Sequence, residues 1–380
     1  MKIFGEGERM ETQVAIVGTG LMGVAHTNAL RTNGVQIRGI LGSSAEKSKK
    51  FAEEFKLFKY YRTFEEILAD PEINVVHLTT PNYLHFDHAK AALMAGKHVV
   101  CEKPLTMTAD ESRELYFLAK KQKLMTAVNF NVRMYPMVQK ARQMLLSGEI
   151  GFPYLIQGSY LQDWLLYPSD WNWRINPEIG GNLRTVGDIG SHWIDLVSYV
   201  SGLKVKEVFA DFKIIHDKRT PNTDNSPKEN KEIPISTEDY ATVLFRFEHD
   251  VPGVMTVSQM CAGHKNEIAY EINASQSSIA WNGAKVDELW VGHRETTNQV
   301  IRQDENWAKN GDKDETAAFP ETFNELYRRV YEYLAKGDFD LEPDFPSFKD
   351  GHYGMLVLDA IEKSAKEKTW VQVSLDDLNR

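Results

Sequence analysis

Cysteine is scarce: Cys101 and Cys261 are the only two in 380 residues, and neither a C-x-x-C pair nor a Cys/His cluster accompanies them. That excludes a disulfide framework and offers no metal-ligand set. Both lie in apolar, strand-like runs and read as buried free thiols of a reducing cytoplasm. Long apolar stretches are missing too, since none approaches the roughly 20 residues that a membrane span needs. Positive charge is in deficit: 44 Lys+Arg stand against 54 Asp+Glu, for a net charge of -10, and no basic run occurs. A nucleic-acid partner is therefore not expected, nor a membrane. Residues Met1 to Thr12 are charged, lack the apolar core of a signal peptide, and read as a short extension before the first strand. There is no internal repeat.

What is present is an ordinary globular composition, with 42% hydrophobic and 26% charged residues. A chain of 380 residues exceeds the size at which single cores stop growing, about 250 to 300 residues, so two domains are expected. The most informative stretch is Gln13 to Leu30, in which an apolar strand breaks into Gly18, Gly20 and Gly23 and continues into a helix. Gly18 allows a tight turn, Gly20 lets the backbone approach a pyrophosphate, and Gly23 lets helix pack on strand. The helix N-terminus supplies free N–H groups and a positive dipole end, so a dinucleotide is expected here.

Val35 to Leu41 reads as a second strand, and a helix follows through about Phe55. A dinucleotide fold that prefers NAD places an Asp or Glu near the end of this strand, roughly 20 residues past the glycines. Here stand Gly42, Ser43 and Ser44, with Lys47 one turn on. These residues suit a ribose 2′-phosphate and so lean the expectation toward NADP over NAD. Equally, Ser43 or Ser44 caps the helix and no more. The strand Asn74 to Thr79 or Thr80 ends at Pro81, which leaves Thr80, Pro81, Asn82 and His85 at a strand's C-terminal edge, where open α/β sheets bind ligands. Asn82 is expected to cap the next helix, His77 to be structural, and His85 to line the site. The strand Lys97 to Glu102 is stopped by Pro104, leaving Lys103 at the same edge.

The Gly18-x-Gly20-x-x-Gly23 turn, the Thr80-Pro81-Asn82-x-x-His85 loop and Glu102-Lys103-Pro104, in that order and spacing, resemble the Gfo/Idh/MocA oxidoreductases. The resemblance implies an α/β fold: an N-terminal Rossmann domain with a doubly wound parallel sheet, over 1–132, then a C-terminal α/β domain on a large, mostly antiparallel sheet, over 133–380. The second domain would bind substrate and form the oligomer interface, giving a homodimer or homotetramer. It also implies that Lys103 reaches the reacting centre, and that Leu21, Met22, Glu102 and the Trp173-Arg174 pair join the glycines, Ser43, Ser44, Lys47 and the Thr80 loop at the cofactor.

The chain alternates strand and helix as far as Phe130, and Asn131 to Pro136, with Arg133, marks the passage to the second domain. Beyond it, strands are expected at 154–162, 205–215, 241–247, 253–260, 269–274, 278–281 and 289–291, helices at 319–334 and 349–366, and a last strand at 369–373. The polar stretches Asp217 to Ser236 and Asn298 to Ala317 read as exposed loops. A helix opens within Gly187-Asp188-Ile189-Gly190-Ser191-His192, its apolar residues recurring at Ile189, Trp193, Leu196, Val197 and Val200. The four-residue spacing places Asp188 and His192 on one face, where a carboxylate orients an imidazole. The bland alternative makes Asp188 an N-cap and His192 a surface residue.

The family's Lys/Asp/His set matches Lys103, Asp188 and His192. In an alcohol oxidation His192 would be the general base, Lys103 would stabilise the developing alkoxide, and Asp188 would orient His192 and hold a neighbouring hydroxyl. Lys103 as the base is the alternative. Arg133, Tyr160, Gln162 and Trp171 join them as substrate contacts, with core packing the competing reading for Tyr160 and Trp171. Gln162, Asp163, Trp173-Arg174 and the Asp188 helix most resemble family members that oxidise pyranosides. The expected function is an NAD(P)-dependent dehydrogenase for a sugar, anhydrosugar or cyclic polyol. Redox-assisted glycoside cleavage and a non-catalytic sugar sensor are the alternatives.

Overall fold

The computed structural model describes residues 12–220, 232–303 and 315–379. The expected N-terminal extension thus lies outside the described residues except for Thr12, as do 221–231 and 304–314 of the two polar stretches. The chain divides into two compact units, but not at a single cut near residue 132. The first comprises the chain up to Thr106, Asp110–Asn129 and Pro320–His352; the second comprises Met107–Ala109, Phe130–Phe319 and Tyr353 onward.

In the first unit, strands β1 (Gln13–Val17), β2 (Gln36–Leu41), β3 (Lys59–Tyr60), β4 (Val75–Leu78), β5 (His98–Cys101) and β6 (Thr126–Val128) alternate with helices α1 (Leu21–Thr32), α2 (Ala45–Glu54), α3 (Phe64–Ala69), α4 (His85–Met94) and α5 (Ala109–Gln122). All pairings are parallel, in the order β3-β2-β1-β4-β5-β6. Val14, Ala15, Ile16, Val75, Val76, Val99 and Val100 are fully buried, because a parallel sheet covered on both faces needs continuous apolar strands. The order reverses between β1 and β4, which sets the glycine turn after β1 and the Thr79-Thr80 loop after β4 on the two sides of the switch point.

The second unit is built on β7 (Pro153–Leu161), β8 (Val205–Lys213), β11 (Tyr240–Phe247), β12 (Pro252–Ser258), β13 (Glu267–Ala274), β14 (Ser278–Asn282), β15 (Glu288–Gly292), β16 (Gln299–Arg302) and β17 (Val371–Gln372). They form one nine-stranded sheet, β16-β15-β14-β13-β7-β12-β11-β8-β17, antiparallel except where β7 meets β12. Helices α6 (Pro136–Leu146), α7 (Pro177–Gly180) and α8 (Ser191–Ser201) belong to this unit; α9 (Glu315–Lys336) and α10 (Phe348–Glu367) each pass from one unit to the other. Two short strands, β9 (Lys218–Arg219) and β10 (Ile233–Pro234), pair with each other. These and β16 replace loop where the polar composition suggested it: at an edge, a strand needs only one partner and tolerates polar side chains.

Strand β11 shows the alternation plainly. Ala241, Val243, Phe245 and Phe247 are buried, while Leu244 and Arg246 face outward. The inner face packs on α8, where the indole of Trp193 is fully buried, stacks on Phe245 at 5.7 Å and donates to the Ala269 carbonyl at 2.9 Å. The apolar residues expected on one face of that helix, Ile189, Trp193, Leu196, Val197 and Val200, are all in this core. The outer face is a shallow groove of about 560 Å³ that includes Val254, Ala269, Ala280, Trp290 and Val300.

Candidate active site

The first unit carries a cradle at the end of β1. Gly18 has φ +120°, and a Cβ on it would lie 2.3 Å from Thr79 Oγ1; a Cβ on Gly23 would lie 2.2 Å from the Gly18 carbonyl oxygen. Close packing of turn, helix and β4 therefore demands both glycines. Gly20 is the N-cap of α1, makes no side-chain cap bond, and has no acidic residue in the turn that follows. A Cβ there would meet nothing within 4 Å. An uncapped helix N-terminus beneath open space is what a dinucleotide pyrophosphate requires, so this chain's residues fit the group. Leu21 is 79% exposed beside it and Met22 is half-buried.

At the end of β2 the capping alternative holds for Ser44, whose hydroxyl accepts the Lys47 N–H at 3.2 Å and starts α2. Ser43 behaves differently: it is exposed, and its hydroxyl accepts from Lys47 Nζ at 3.2 Å, so a hydroxyl and an ammonium stand side by side. A Cβ on Gly42 would come within 3.0 Å of Thr19 Cγ2 and 3.1 Å of the Ser48 nitrogen. A side chain at this position would therefore crowd the start of α2.

After β4, Thr79 Oγ1 donates to the Val17 and Gly18 carbonyls at 3.0 and 3.2 Å, binding the two sides of the switch point together. The Thr80 hydroxyl is buried with no hydrogen-bond partner among the described residues, an orphan at the edge where a ligand is expected. Pro81 precedes a 3-10 turn over Asn82–Leu84, and neither that turn nor α4 has a side-chain cap, so Asn82 does not cap the helix. His85 does not line an open site either. It is fully buried, with its ring nitrogens 2.9 Å from the carbonyl oxygens of Thr80 and Pro104, and so ties this loop to the Lys103-Pro104 turn.

Glu102 is buried at the end of β5. Its Oε1 accepts from Asn129 Nδ2 at 2.7 Å and lies 3.0 Å from His26 Nε2; its Oε2 accepts the Lys103 N–H at 3.3 Å. Burial pushes its carboxyl up, but the His26 hydrogen bond and the charges of His26, Lys103 and His85 outweigh that and hold it below the ordinary value. Lys103 itself is half-buried. His77, expected to be structural, is fully buried and bonded to His26.

In the second unit the polar groups converge at one end of β7 and β12. Asp188 lies in a π-helical turn, Val186–Gly190, that runs into α8 and His192; it is not an N-cap, and its spacing to His192 is not that of a plain α-helix. One carboxylate oxygen takes Arg174 Nε at 3.0 Å and the other Gln259 Nε2 at 2.9 Å. Arg174 in turn stacks 4.3 Å over Trp173 and reaches Asn172, which fixes the loop to the helix. Gln259 Nε2 also reaches Gln162 Oε1 at 3.2 Å, an oxygen that takes the Trp164 indole N–H at 2.6 Å. Gln162 Nε2 and the Tyr160 hydroxyl both donate to Asn266 Oδ1, at 2.7 and 2.5 Å. His192 is buried between the rings of Phe130 and Tyr160, at 5.9 and 6.3 Å.

Tyr160, Gln162, Arg174 and Asp188 are thereby brought into one array. Trp171 is not part of it: it packs on the small cluster of Leu165, Ile175 and Ile235, as the packing alternative has it. Arg133 is buried, with its guanidinium paired to both oxygens of Asp195 and 4.7 Å over Tyr199, so its charge is engaged inside the fold. Cys261 lies beyond the end of β12 and is half-buried; only Cys101 is a strand thiol, and both are free. Sequence reasoning missed Gln259, Asn266 and Trp164. The one signal for Gln259 was a polar pair, Ser258-Gln259, closing an alternating apolar strand. Arg219, also missed, is fully buried and donates to the carbonyls of Leu165, Tyr167 and Asp170, pinning the loop that leads to Trp173.

Residues 12–130 match the model of an oxidoreductase family with an NAD-binding Rossmann fold, and residues 138–280 that of the GFO/IDH/MocA C-terminal domain. Levoglucosan dehydrogenase of Pseudarthrobacter phenanthrenivorans is 29% identical over 95% of this chain and 97% of its own length. A 1,5-anhydro-D-fructose reductase of Ensifer adhaerens is 32% identical over 45% of this chain and 51% of its own. A solved structure described as levoglucosan dehydrogenase in complex with NADH and L-sorbose superposes with a TM-score of 0.85, at 28% identity, over 96% of this chain and 99% of that one.

Proposed function

The chain belongs to the Gfo/Idh/MocA oxidoreductase family, and on that premise we propose that it is an NAD(P)-dependent dehydrogenase that oxidises a secondary hydroxyl of a pyranose, an anhydrosugar or a related cyclic polyol. The observation that carries this reading is the cradle of Gly18, Gly20 and Gly23, with an uncapped helix end beneath open space. When bound there, a nicotinamide dinucleotide supplies the hydride acceptor. Two of the similar proteins are named for anhydrosugars, which supports the substrate class.

The residues of this chain then divide the work. A ring nitrogen of His192 takes the hydroxyl proton as the carbon–hydrogen bond breaks, and Lys103 stabilises the alkoxide oxygen on its way to a carbonyl. Asp188, held by Arg174 and Gln259, orients the imidazole and accepts a neighbouring sugar hydroxyl. Tyr160 and Gln162 offer further hydrogen-bonding groups for the ring. Trp173, Arg174, Thr80, Pro81 and Asn82 serve the dinucleotide, with Glu102 and His85 supporting the Lys103 turn. Ser43 and Lys47, with Gly42 and no Asp or Glu at the end of β2, support a 2′-phosphate and hence NADP. We place a second copy of the chain on the outer face of the large sheet, where Trp290, Val300 and Val254 would be covered in a homodimer or homotetramer. Free thiols and the absence of any helix among the described residues long and apolar enough to cross a membrane fit a cytoplasmic enzyme.

The test is a titration of the purified protein with NAD(H) and NADP(H), followed by a screen of levoglucosan, glucose, glucosides and inositols for steady cofactor reduction. Net reduction with one of these supports the dehydrogenase and identifies its substrate. Cleavage of a glycoside without net reduction would replace it with redox-assisted hydrolysis, and binding without turnover would replace it with a sensor.

A further inference from the structure

Beneath the Glu102-Lys103-Pro104 turn lies a row of buried polar groups that the proposed reaction does not use. His26 Nδ1 and His77 Nδ1 are 2.9 Å apart, His26 Nε2 and Glu102 Oε1 are 3.0 Å apart, and His77 Nε2 lies 2.8 Å from the Tyr331 hydroxyl. Both histidines are wholly inaccessible. Tyr327 of α9 closes the row from the side, its ring edge-on to both imidazoles at 5.2 and 5.1 Å, with Phe323 5.9 Å from His26. No water-sized alternative is needed to satisfy these atoms, because each already faces a partner.

Donor and acceptor counting leaves one arrangement for a singly protonated His26. An ionised Glu102 only accepts, so His26 carries its proton on Nε2 and donates. A neutral His26 then has a bare Nδ1, which obliges His77 to carry its own proton on Nδ1. His77 Nε2 is bare in consequence, and the Tyr331 hydroxyl must donate to it. A second proton on His26 would reverse the bonds to His77 and from His77 to Tyr331 and leave the bond to Glu102 as it is. Burial, reinforced by His26, keeps the His77 imidazole well below its ordinary value, and burial keeps the Tyr331 and Tyr327 phenols well above theirs. The other charged or titrating groups near Glu102 are Lys103 and His85, which favour its anion, and the Cys101 thiol, which burial keeps protonated.

We propose that His26, His77 and Tyr331 are positioning residues for Lys103: they form a buried hydrogen-bond chain of one polarity, from the Tyr331 hydroxyl to the Glu102 carboxylate, which keeps Glu102 anionic and fixes the turn that presents Lys103. This role rests on the reading that Lys103 serves the substrate hydroxyl. Through the Lys103 N–H on Oε2, the carboxylate anchors the backbone of that turn, while Oε1 belongs to His26 and Asn129. The chain thus acts on the reaction through Glu102 and never touches substrate.

The test begins with the wild-type enzyme labelled with 15N at histidine, its long-range 1H–15N correlations recorded near pH 7.5 and assigned with His26→Gln and His77→Gln. The expected result is His26 protonated at Nε2 and His77 at Nδ1. A His77 protonated at Nε2, or a doubly protonated His26, overturns the chain. Kinetics supply the second arm. Tyr331→Phe removes the terminal donor, and kcat should fall about tenfold with KM changed less than about twofold. The acid limb of its pH profile should move upward, since Glu102 is held less firmly as an anion. An unchanged kcat and pH profile would refute the positioning role. Lack of any sugar turnover in the wild type would sink the functional reading instead, while the tautomers would still report on the chain, so the two failures are told apart.

Discussion

Around Glu102 the polar groups are dry and serially linked, each serving its neighbour, whereas around Asp188 they converge on one carboxylate that is 13% exposed, with an arginine 27% exposed. The first assembly has the character of a brace and the second that of a surface ready for a ligand. A buried polar group must be satisfied by the fold itself, while a partly exposed one can exchange water for a substrate hydroxyl. On the proposed function, the first unit presets Lys103 and the second offers the groups that meet a sugar.

Substitutions can break that division of labour. The largest effect is expected at His192: His192→Ala should lower kcat by about 10²- to 10⁴-fold while dinucleotide affinity, measured by fluorescence titration, stays within a factor of about two. Unchanged turnover would remove chemistry from the second assembly. Gly23→Ala forces a Cβ against the Gly18 carbonyl oxygen at 2.2 Å, a backbone contact that cannot yield. It should cost about 1–3 kcal/mol in chemical denaturation and weaken dinucleotide binding at least about tenfold.

Gln259→Leu keeps the volume but releases one oxygen of Asp188. About a tenfold fall in kcat/KM with little change in Tm is expected, and a large loss of Tm would make Gln259 a structural residue instead. Acid titration sharpens the contrast from the side of the dry unit. Burial holds His98 down to about 4, and His77 and His88 are likewise lowered by burial. A histidine whose folded value is depressed stabilises the fold above its unfolded value, about 6.5. That contribution is lost as pH falls toward the folded value, because the unfolded chain binds the extra proton. Each should remove about 1.4 kcal/mol per pH unit between about pH 6.5 and its folded value, and His98→Gln should flatten the stability curve between about pH 6.5 and 4. The smallest effect is at the rim: Lys47→Ala should raise Kd for NADPH by about three- to tenfold and leave NADH unchanged if a 2′-phosphate sits at Ser43.

The first unit was the more legible in sequence because its candidate residues come as contiguous motifs at strand ends. Glycine spacing, Pro81 and Pro104 are local signals with local causes, and the parallel sheet forms where the apolar runs placed it. The second candidate site is gathered from Tyr160, Gln162, Arg174, Asp188, Gln259 and Asn266, far apart in sequence and joined by side-chain hydrogen bonds between strand ends and helical turns. No local pattern announces that Gln259 will reach Asp188. The ion pair of Arg133 is hidden for a related reason, since its partner Asp195 lies 62 residues on. The π-turn at Asp188 was hidden too, since an extra residue in a helix leaves no trace in a periodicity of a few positions.

The dinucleotide-binding unit is not a contiguous cassette. The aromatic wall over His26 and His77 comes from Phe323, Tyr327 and Tyr331, about two hundred residues downstream of the last strand of its own sheet. A fragment that stops near residue 130 would contain every glycine and every strand of that sheet, yet leave two imidazoles facing water on a surface shaped for a helix. A graft or a split-protein design that treats residues 12–130 as a transplantable module should therefore carry 320–352 with it, in cis or as a complementing peptide.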